Sequence, residues 1–435
     1  MKKKIIFLLT VSFLCATSYS HAAEENNRDN STFNEGTGEI NSDLFGKKGG
    51  YIHPFFPIAG LYTDNVFNVK ENTASDVATV LSPGVWLAVP GTRTQVVEIN
   101  TSTRTPGGLD YDIGYSRYRK RFQSYLLVAS AFSIYSEESK ADTEEYWVEG
   151  FIQYNFPGNL SFDLINQYAD SHDEWSARFP GELDKYKNNF FTLRTTYALS
   201  DMFRIRVDYA NYYLEYDDQQ RNSNSDRTDN SFSGYFFYNF RPKYSLFAQY
   251  DHINVKYDTN SLADNNTHRF YGGLNWEISA KSYGRLQAGY TNKEFDSSLR
   301  EDQDATIFRA VIRHAFTAKT SLELRAFRQI RESYITTGLN DILTNEISAH
   351  YRQKITSKIS ANIDLSYTNE DYSAPPPGFT TTREDKFYHA LPSVEYHFRK
   401  WLSTQFAYIY NKRDSNFSIF DYKNNTFLIR IKTSL

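Results

Sequence analysis

Five histidines in the second half of the chain, His268, His314, His350, His389 and His397, are the residues best suited to catalysis. Hydrolysis needs a nucleophile and an orienting carboxylate beside such a ring, or a second histidine spaced to share a metal. None of the five stands in a nucleophile elbow, an H-E-x-x-H pair or a Cys/His cluster. No catalytic residue, metal or cofactor is therefore expected. The acidic stretch Asp217 to Asp229 lacks the spaced ligands and glycine of a calcium loop and reads as a solvated surface loop. A second group is far more regular. Arg204, Arg206 and Asp208 alternate with apolar residues, as do Arg285 with Gln287, Arg309 with Arg313, and Glu323 with Arg325. Arg352, Asp364, Arg430 and Lys432 follow the same rule. Side chains two apart share one face of a strand. A face of this kind offers charge and hydrogen bonds to a hydrated solute, and the excess of Arg over Lys favours an anionic one. Tyr271 and Phe327 share that face, where aromatic rings can stack on sugars. Polar lumens are general in barrels, and ion pairs brace their walls, which is the simpler account of any single residue.

The elements that would position these residues are strands. Ile359, Ala361, Ile363, Leu365 and Tyr367 are apolar, and Ser360, Asn362, Asp364, Ser366 and Thr368 between them are polar. This period of two runs for about ten residues, enough to cross a membrane as a tilted strand. It recurs at Phe191 to Leu199, Phe203 to Tyr209 and Phe270 to Ile278. Very short turns, such as Pro157-Gly158, Ser200-Asp201, Ala318-Lys319 and Arg399-Lys400, alternate with long polar connections. The connections run from Ser171 to Lys185, Asp217 to Asp229, Asp258 to Asn266, Asp296 to Asp304, Thr336 to Thr344, Asp371 to Asp385 and Ser415 to Lys423. Short turns at one end and long loops at the other mark an outer-membrane barrel. The reading is an all-β fold: a transmembrane, antiparallel, up-and-down β-barrel of about 18 strands, within 16 to 20. Sixteen strands are counted from Glu144 onward, and a first hairpin from Tyr51 to Phe67 and Asp76 to Val89 adds two. Residues 95–122 are ambiguous, with Thr101 to Gly108 reading as an irregular insert.

Composition agrees. The 435 residues include 34 Tyr and 33 Phe but 2 Met and 1 Cys. Mean hydropathy is −0.60. A net charge of −4 argues against a nucleic-acid partner. Lys2, Lys3 and Lys4, the apolar Ile5 to Thr17 and the small residues at Ser20-His21-Ala22 form a signal peptide over residues 1–22, with Cys15 inside it. Residues 23–50 read as a flexible periplasmic arm and 51–435 as the barrel in outer-membrane lipid. Trp86, Trp276, Trp401, Tyr396 and Phe398 fall near strand ends and read as an interfacial girdle.

The first hairpin carries Tyr62-x-Asp64-Asn65-Val66-Phe67, then Ser75-Asp76, then Pro83-Gly84-Val85. This pattern, with Tyr62, Asp64, Asn65, Asp76, Pro83 and Gly84 as its fixed positions, resembles the outer-membrane β-barrel, porin-like family associated with bacterial exopolysaccharide biosynthesis and export. The resemblance implies a wide barrel in the outer membrane, a polysaccharide passenger and periplasmic polysaccharide export proteins as partners. The alternatives are a general or nutrient-uptake porin and a structural barrel. The ending, with Phe427, Ile429, Ile431 and Leu435 on one face, resembles the signal read by the barrel-assembly machinery. It reads as a closing strand whose greasy face meets lipid while Arg430 and Lys432 face the lumen.

Overall fold

Alternating apolar and polar side chains can satisfy two solvents only if the sheet closes and separates them. The computed structural model, described over residues 51–89, 103–108, 121–219, 223–279, 282–333, 341–375, 380–399 and 401–433, is such a closed sheet. The expected signal peptide, the arm and Leu435 lie outside the described residues. The first half contains β1 (Ile52–Phe55), β2 (Ile58–Thr63), β3 (Asp76–Leu81), β4 (Gly84–Val89), β5 (Phe122–Tyr135), β6 (Thr143–Asn155), β7 (Leu160–His172), β8 (Lys185–Ala198), β9 (Phe203–Tyr216) and β10 (Arg227–Arg241). The second half contains β11 (Tyr244–Tyr257), β12 (Asn265–Ser279), β13 (Ser282–Phe295), β14 (Gln303–Ala315), β15 (Thr320–Glu332), β16 (Asp341–Lys354), β17 (Ile359–Tyr372), β18 (Glu384–Arg399), β19 (Leu402–Ser415) and β20 (Tyr422–Thr433). Each pairs antiparallel with its neighbours, and β20 returns to β2.

The 20 segments make 18 wall strands. Pro57 splits β1 from β2, and Pro83 splits β3 from β4, because proline cannot donate to the ladder. Register is unbroken across both splits: Phe55 faces Gly84 and Ile58 faces Leu81. β3 and β4 also meet β5 in one continuous register. Eighteen is thus the expected total with a different composition. Fifteen strands, β6 to β20, lie beyond Thr143 rather than sixteen, and β5 supplies the missing one. Several connections are also shorter than their polarity suggests. β10 starts at Arg227, β16 at Asp341 and β18 at Glu384, because Arg227 with Asp229, Asp341 with Lys293 and Asp385 with Arg383 pair inside the barrel and the strands run on.

The two faces confirm which side is which. On β20, Phe427, Ile429 and Ile431 are 57%, 52% and 44% exposed, whereas Arg430 is 8% exposed. Apolar outside and buried charge inside is tenable only with hydrocarbon around the wall. Strands of about 14 residues at about 3.3 Å each, tilted by about 40°, span the bilayer with some length left beyond it. Trp86 departs from the expected girdle: it is buried against the inward-facing Tyr125 and Leu127. Trp276, Trp401 and Phe398 lie toward the short-turn end, with Phe398 and Trp401 exposed.

Candidate functional site

The expected pore residues all lie on the inward face of their strands. Asp208 is buried between Arg206 and Arg194, with Arg194 Nε 3.4 Å away. Glu323 lies between Arg313, at 2.5 Å, and Arg325, at 2.6 Å. Asp364 pairs with His350, and Glu395 lies 3.5 Å from Lys432. Arg285 donates to Gln287 at 2.7 Å, and Arg309 to Gln329 at 3.4 Å. Arg352 faces Asn362 across β16 and β17, and Arg430 faces Gln405 across β19 and β20. Tyr271 and Phe327 are on the same side, with Arg331 over the Phe327 ring. These groups encircle the half of the barrel toward the short turns, the periplasmic end.

The other half is crossed by two segments that the sequence did not place inside. Residues 173–184, between β7 and β8, fold inward. Ala177 packs against Ile342 and Tyr372, on strands half-way round the barrel. Arg413 of β19 donates to the Ser176 carbonyl at 2.9 Å, and Ser176 Oγ donates to the Phe67 carbonyl at 2.6 Å. Arg178, on the same segment, is fully buried over the Tyr216 ring. Beside this segment lie residues 103–108. Thr103 Oγ1 donates to Asp173 at 3.0 Å. The Arg104 guanidinium pairs with Glu370 of β17, both buried, and its carbonyl accepts from Glu332 N at 2.9 Å. The Thr105 carbonyl accepts from Arg227 at 2.9 Å, and Gly107 N donates to Asp229 at 2.9 Å. Gly107 has φ +61°, and a Cβ there would sit 3.1 Å from both Ile253 and Ser231. The positive φ and the close approach of β10 and β11 therefore favour glycine at position 107.

These contacts end on a buried ionic cluster. Lys293 Nζ lies 2.6 Å from Glu332 and 2.5 Å from Asp341, all nearly inaccessible. Arg300 reaches Asp341 at 2.8 Å, and Tyr257 donates to Glu332 at 2.7 Å. The stretch Asp217 to Asp229 is thus not wholly a solvated loop, since Asp226, Arg227 and Asp229 are buried. Removing one member of a buried ion group is costlier than never having it. Lys293→Met should destabilise the barrel by about 3–5 kcal/mol. The check is the temperature at which the compact, heat-modifiable gel band converts to the unfolded one; it should fall well below that of the parent.

The motif of the first hairpin turns out to close the wall. β2 meets β20 over only six residue pairs. Asp64 extends the seam by accepting from Asn425 N at 2.7 Å and Asn425 Nδ2 at 2.6 Å. Asn65 Nδ2 donates to the Lys423 and Val69 carbonyls, and Asn424 donates to the Asn65 carbonyl at 2.7 Å. Asp76 accepts from Glu137 N and Glu138 N, fixing the next loop. A Cβ on Gly84 would overlap Ala129 at 2.1 Å, so the Pro83-Gly84 pair is dictated by close approach. Tyr62 is 44% exposed on the lipid side. Asp64 and Asn65 thus serve closure, Asp76 the following loop and Gly84 the approach to β5.

The histidines are scattered around the wall. His268 accompanies Tyr250 and His252 on the outer face, and His314 lies against Phe316. His389 is 2.6 Å from Asn411 Oδ1, and His397 is 4.0 Å from Glu395. Among the described residues no three potential metal-ligating groups converge.

The sequence profile of the family described as "Putative beta-barrel porin 2" matches residues 119–434. No curated protein matches the chain. Among solved structures, the chain is similar to OccAB4 of Acinetobacter baumannii, at 9% identity and TM-score 0.43, over 89% of this chain and 99% of that one. It is also similar to OccK2 (OpdF) of Pseudomonas aeruginosa in complex with glucuronate, at 8% identity and TM-score 0.44, over 88% and 98%. OpdQ of Pseudomonas aeruginosa gives 10% identity and TM-score 0.43, over 88% and 98%.

Proposed function

Since the chain belongs to the "Putative beta-barrel porin 2" family of the bacterial outer membrane, we propose that it is a diffusion porin admitting small hydrated solutes, rather than a conduit for a polysaccharide chain. One observation carries this reading: residues 103–108 and 173–184 lie across the half of the lumen toward the long loops, the first held by the buried Arg104–Glu370 pair and by Gly107 N on Asp229, the second by Arg413 on the Ser176 carbonyl and by the packing of Ala177 on Ile342 and Tyr372. A polymer-wide passage would have to break those pairs in each event, exposing charges whose desolvated partners cost several kcal/mol each. A small solute would need no such rupture of Arg104 from Glu370. The periplasmic half is lined by charged and amide side chains, the polar interior of an aqueous pore.

The resemblance to the exopolysaccharide-associated family rests on Tyr62, Asp64, Asn65, Asp76, Pro83 and Gly84, of which Asp64 and Asn65 act in the seam between β2 and β20. Those two residues are accounted for by wall closure without any contact to a passenger. Two readouts separate the readings. Liposomes containing the purified protein should swell in isosmotic monosaccharide. A strain lacking the gene should keep its surface polysaccharide. Loss of surface polysaccharide with unchanged synthesis of its repeat units would restore the conduit.

A further inference from the structure

We infer that the inward segment 173–184 is latched at its base by one proton shared between His172 and Glu145, which makes the pore narrower in acid and wider in alkali. The inference rests on the porin reading for its effect on conductance but not for the latch itself. His172 is the last residue of β7, and the segment leaves the wall directly after it. His172 is 6% exposed and Glu145, on β6, 1% exposed.

The proton follows from the hydrogen bonds around the pair. His172 Nδ1 lies 2.7 Å from the Asp173 carbonyl, which can only accept, so Nδ1 carries a hydrogen. His172 Nε2 then faces Glu145 Oε1 at 3.6 Å. In a neutral ring that nitrogen presents a lone pair to a carboxylate oxygen, and the two repel across a buried contact. Ser171 donates to the same oxygen at 2.6 Å. Among the described residues neither His172 Nε2 nor Glu145 Oε2 has a hydrogen-bond partner. One added proton, on the ring or on the carboxyl, lets the two side chains close into a hydrogen bond. The other charged groups on the elements packed here are Asp173, Arg178 and Asp184 on the segment and Lys185, opposite His172 on β8. Arg178 lies 3.5 Å from Asp184, and Asp173 accepts from Thr103 and from Tyr216 of β9.

The ring also holds the neck of the segment. Nδ1 grips the Asp173 carbonyl, and Asp173 N donates to the Asp184 carbonyl at 2.8 Å. Loss of the proton drives ring and carboxylate apart, draws Nδ1 off the neck and frees the segment to swing from the lumen. The contact is present while the proton is bound and is lost as pH rises.

The test is hydrogen exchange of the folded, detergent-solubilised full chain at about pH 5.5 and about pH 8, on either side of histidine's ordinary range. Residues 173–184, corrected for the intrinsic pH dependence of exchange, should be about tenfold less protected at the higher value. Single-channel conductance should rise over the same interval. Glu145→Gln sets an amide N–H opposite the neutral Nε2 and should keep protection high and conductance low at both values. His172→Gln removes the titrating ring and should abolish the pH response with an unchanged heat-modifiable gel band. Equal protection at both values, equal conductance of an open pore at both values, or a full pH response in either variant would overturn the latch and leave the porin reading intact. A silent bilayer with pH-dependent protection would support the latch and overturn that reading. A silent bilayer with equal protection would overturn both.

Discussion

Replacing residues 103–108 with a Gly-Ser segment, together with Glu370→Gln, is expected to raise single-channel conductance by about twofold or more. The segment ties Glu370, Glu332, Arg227 and Asp229 together from inside the mouth. Without it those contacts end and the cross-section of the narrow half widens. The Glu370 change is part of the design because Glu370 is fully buried against Arg104. Deleting the arginine alone would strand a carboxylate at a cost of about 3–5 kcal/mol and confuse opening with unfolding. Planar-bilayer recording supplies the check, with solute entry into liposomes as a second readout. An unchanged conductance would mean that residues 173–184 alone set the constriction, through their contacts with Ile342, Tyr372 and Arg413.

The second large effect is expected at the other end of the chain. Removing Phe427 to Leu435 deletes five of the six register pairs between β2 and β20, leaving Thr63 opposite Thr426. It also deletes the lower half of the β19 pairing. Two strand edges would then lie open at membrane depth. Each backbone group left unsatisfied in hydrocarbon costs several kcal/mol, so the sheet cannot remain there unclosed. The truncated chain should accumulate in the periplasm, and fractionation with a gel-shift assay reads the outcome. A heat-modifiable truncated protein in the outer-membrane fraction would contradict closure through β20. Loss of Phe427, Ile429 and Ile431 also removes the lipid-facing half of the ending.

Much of the wall could be read from the sequence, because a period of two forces polar and apolar faces apart in any closed sheet. Arg204, Arg206 and Asp208 fell on the inward side by that rule alone, and Phe427 with Ile429 on the outward side. What the rule cannot see is a segment that leaves the wall. Residues 103–108 have no period and read as an irregular insert, although their backbone is what the buried charges hold. Residues 173–184 contain Asp173, Arg178 and Asp184, which look solvated singly and are buried together. The same masking shortens the expected strands at Arg227 and Asp341, whose charges look like loop residues in the sequence. Trp86 reads as interfacial from its place near a strand end, yet its strand parity turns it inward beside Leu127. A guanidinium–aromatic stack is equally hidden, since Arg204 and Phe237 are 33 residues apart and meet only through the pairing of β9 with β10.

A diffusion porin passes small solutes and excludes long ones. Single-channel conductance of the purified full-length protein, measured with neutral polyethylene glycols of graded size on either side of the bilayer, addresses this directly. The expected result is a steady conductance that the smallest polymers lower by entering the pore, with larger ones excluded from both sides. A silent bilayer, or free entry of polymers as bulky as an oligosaccharide chain, would contradict it.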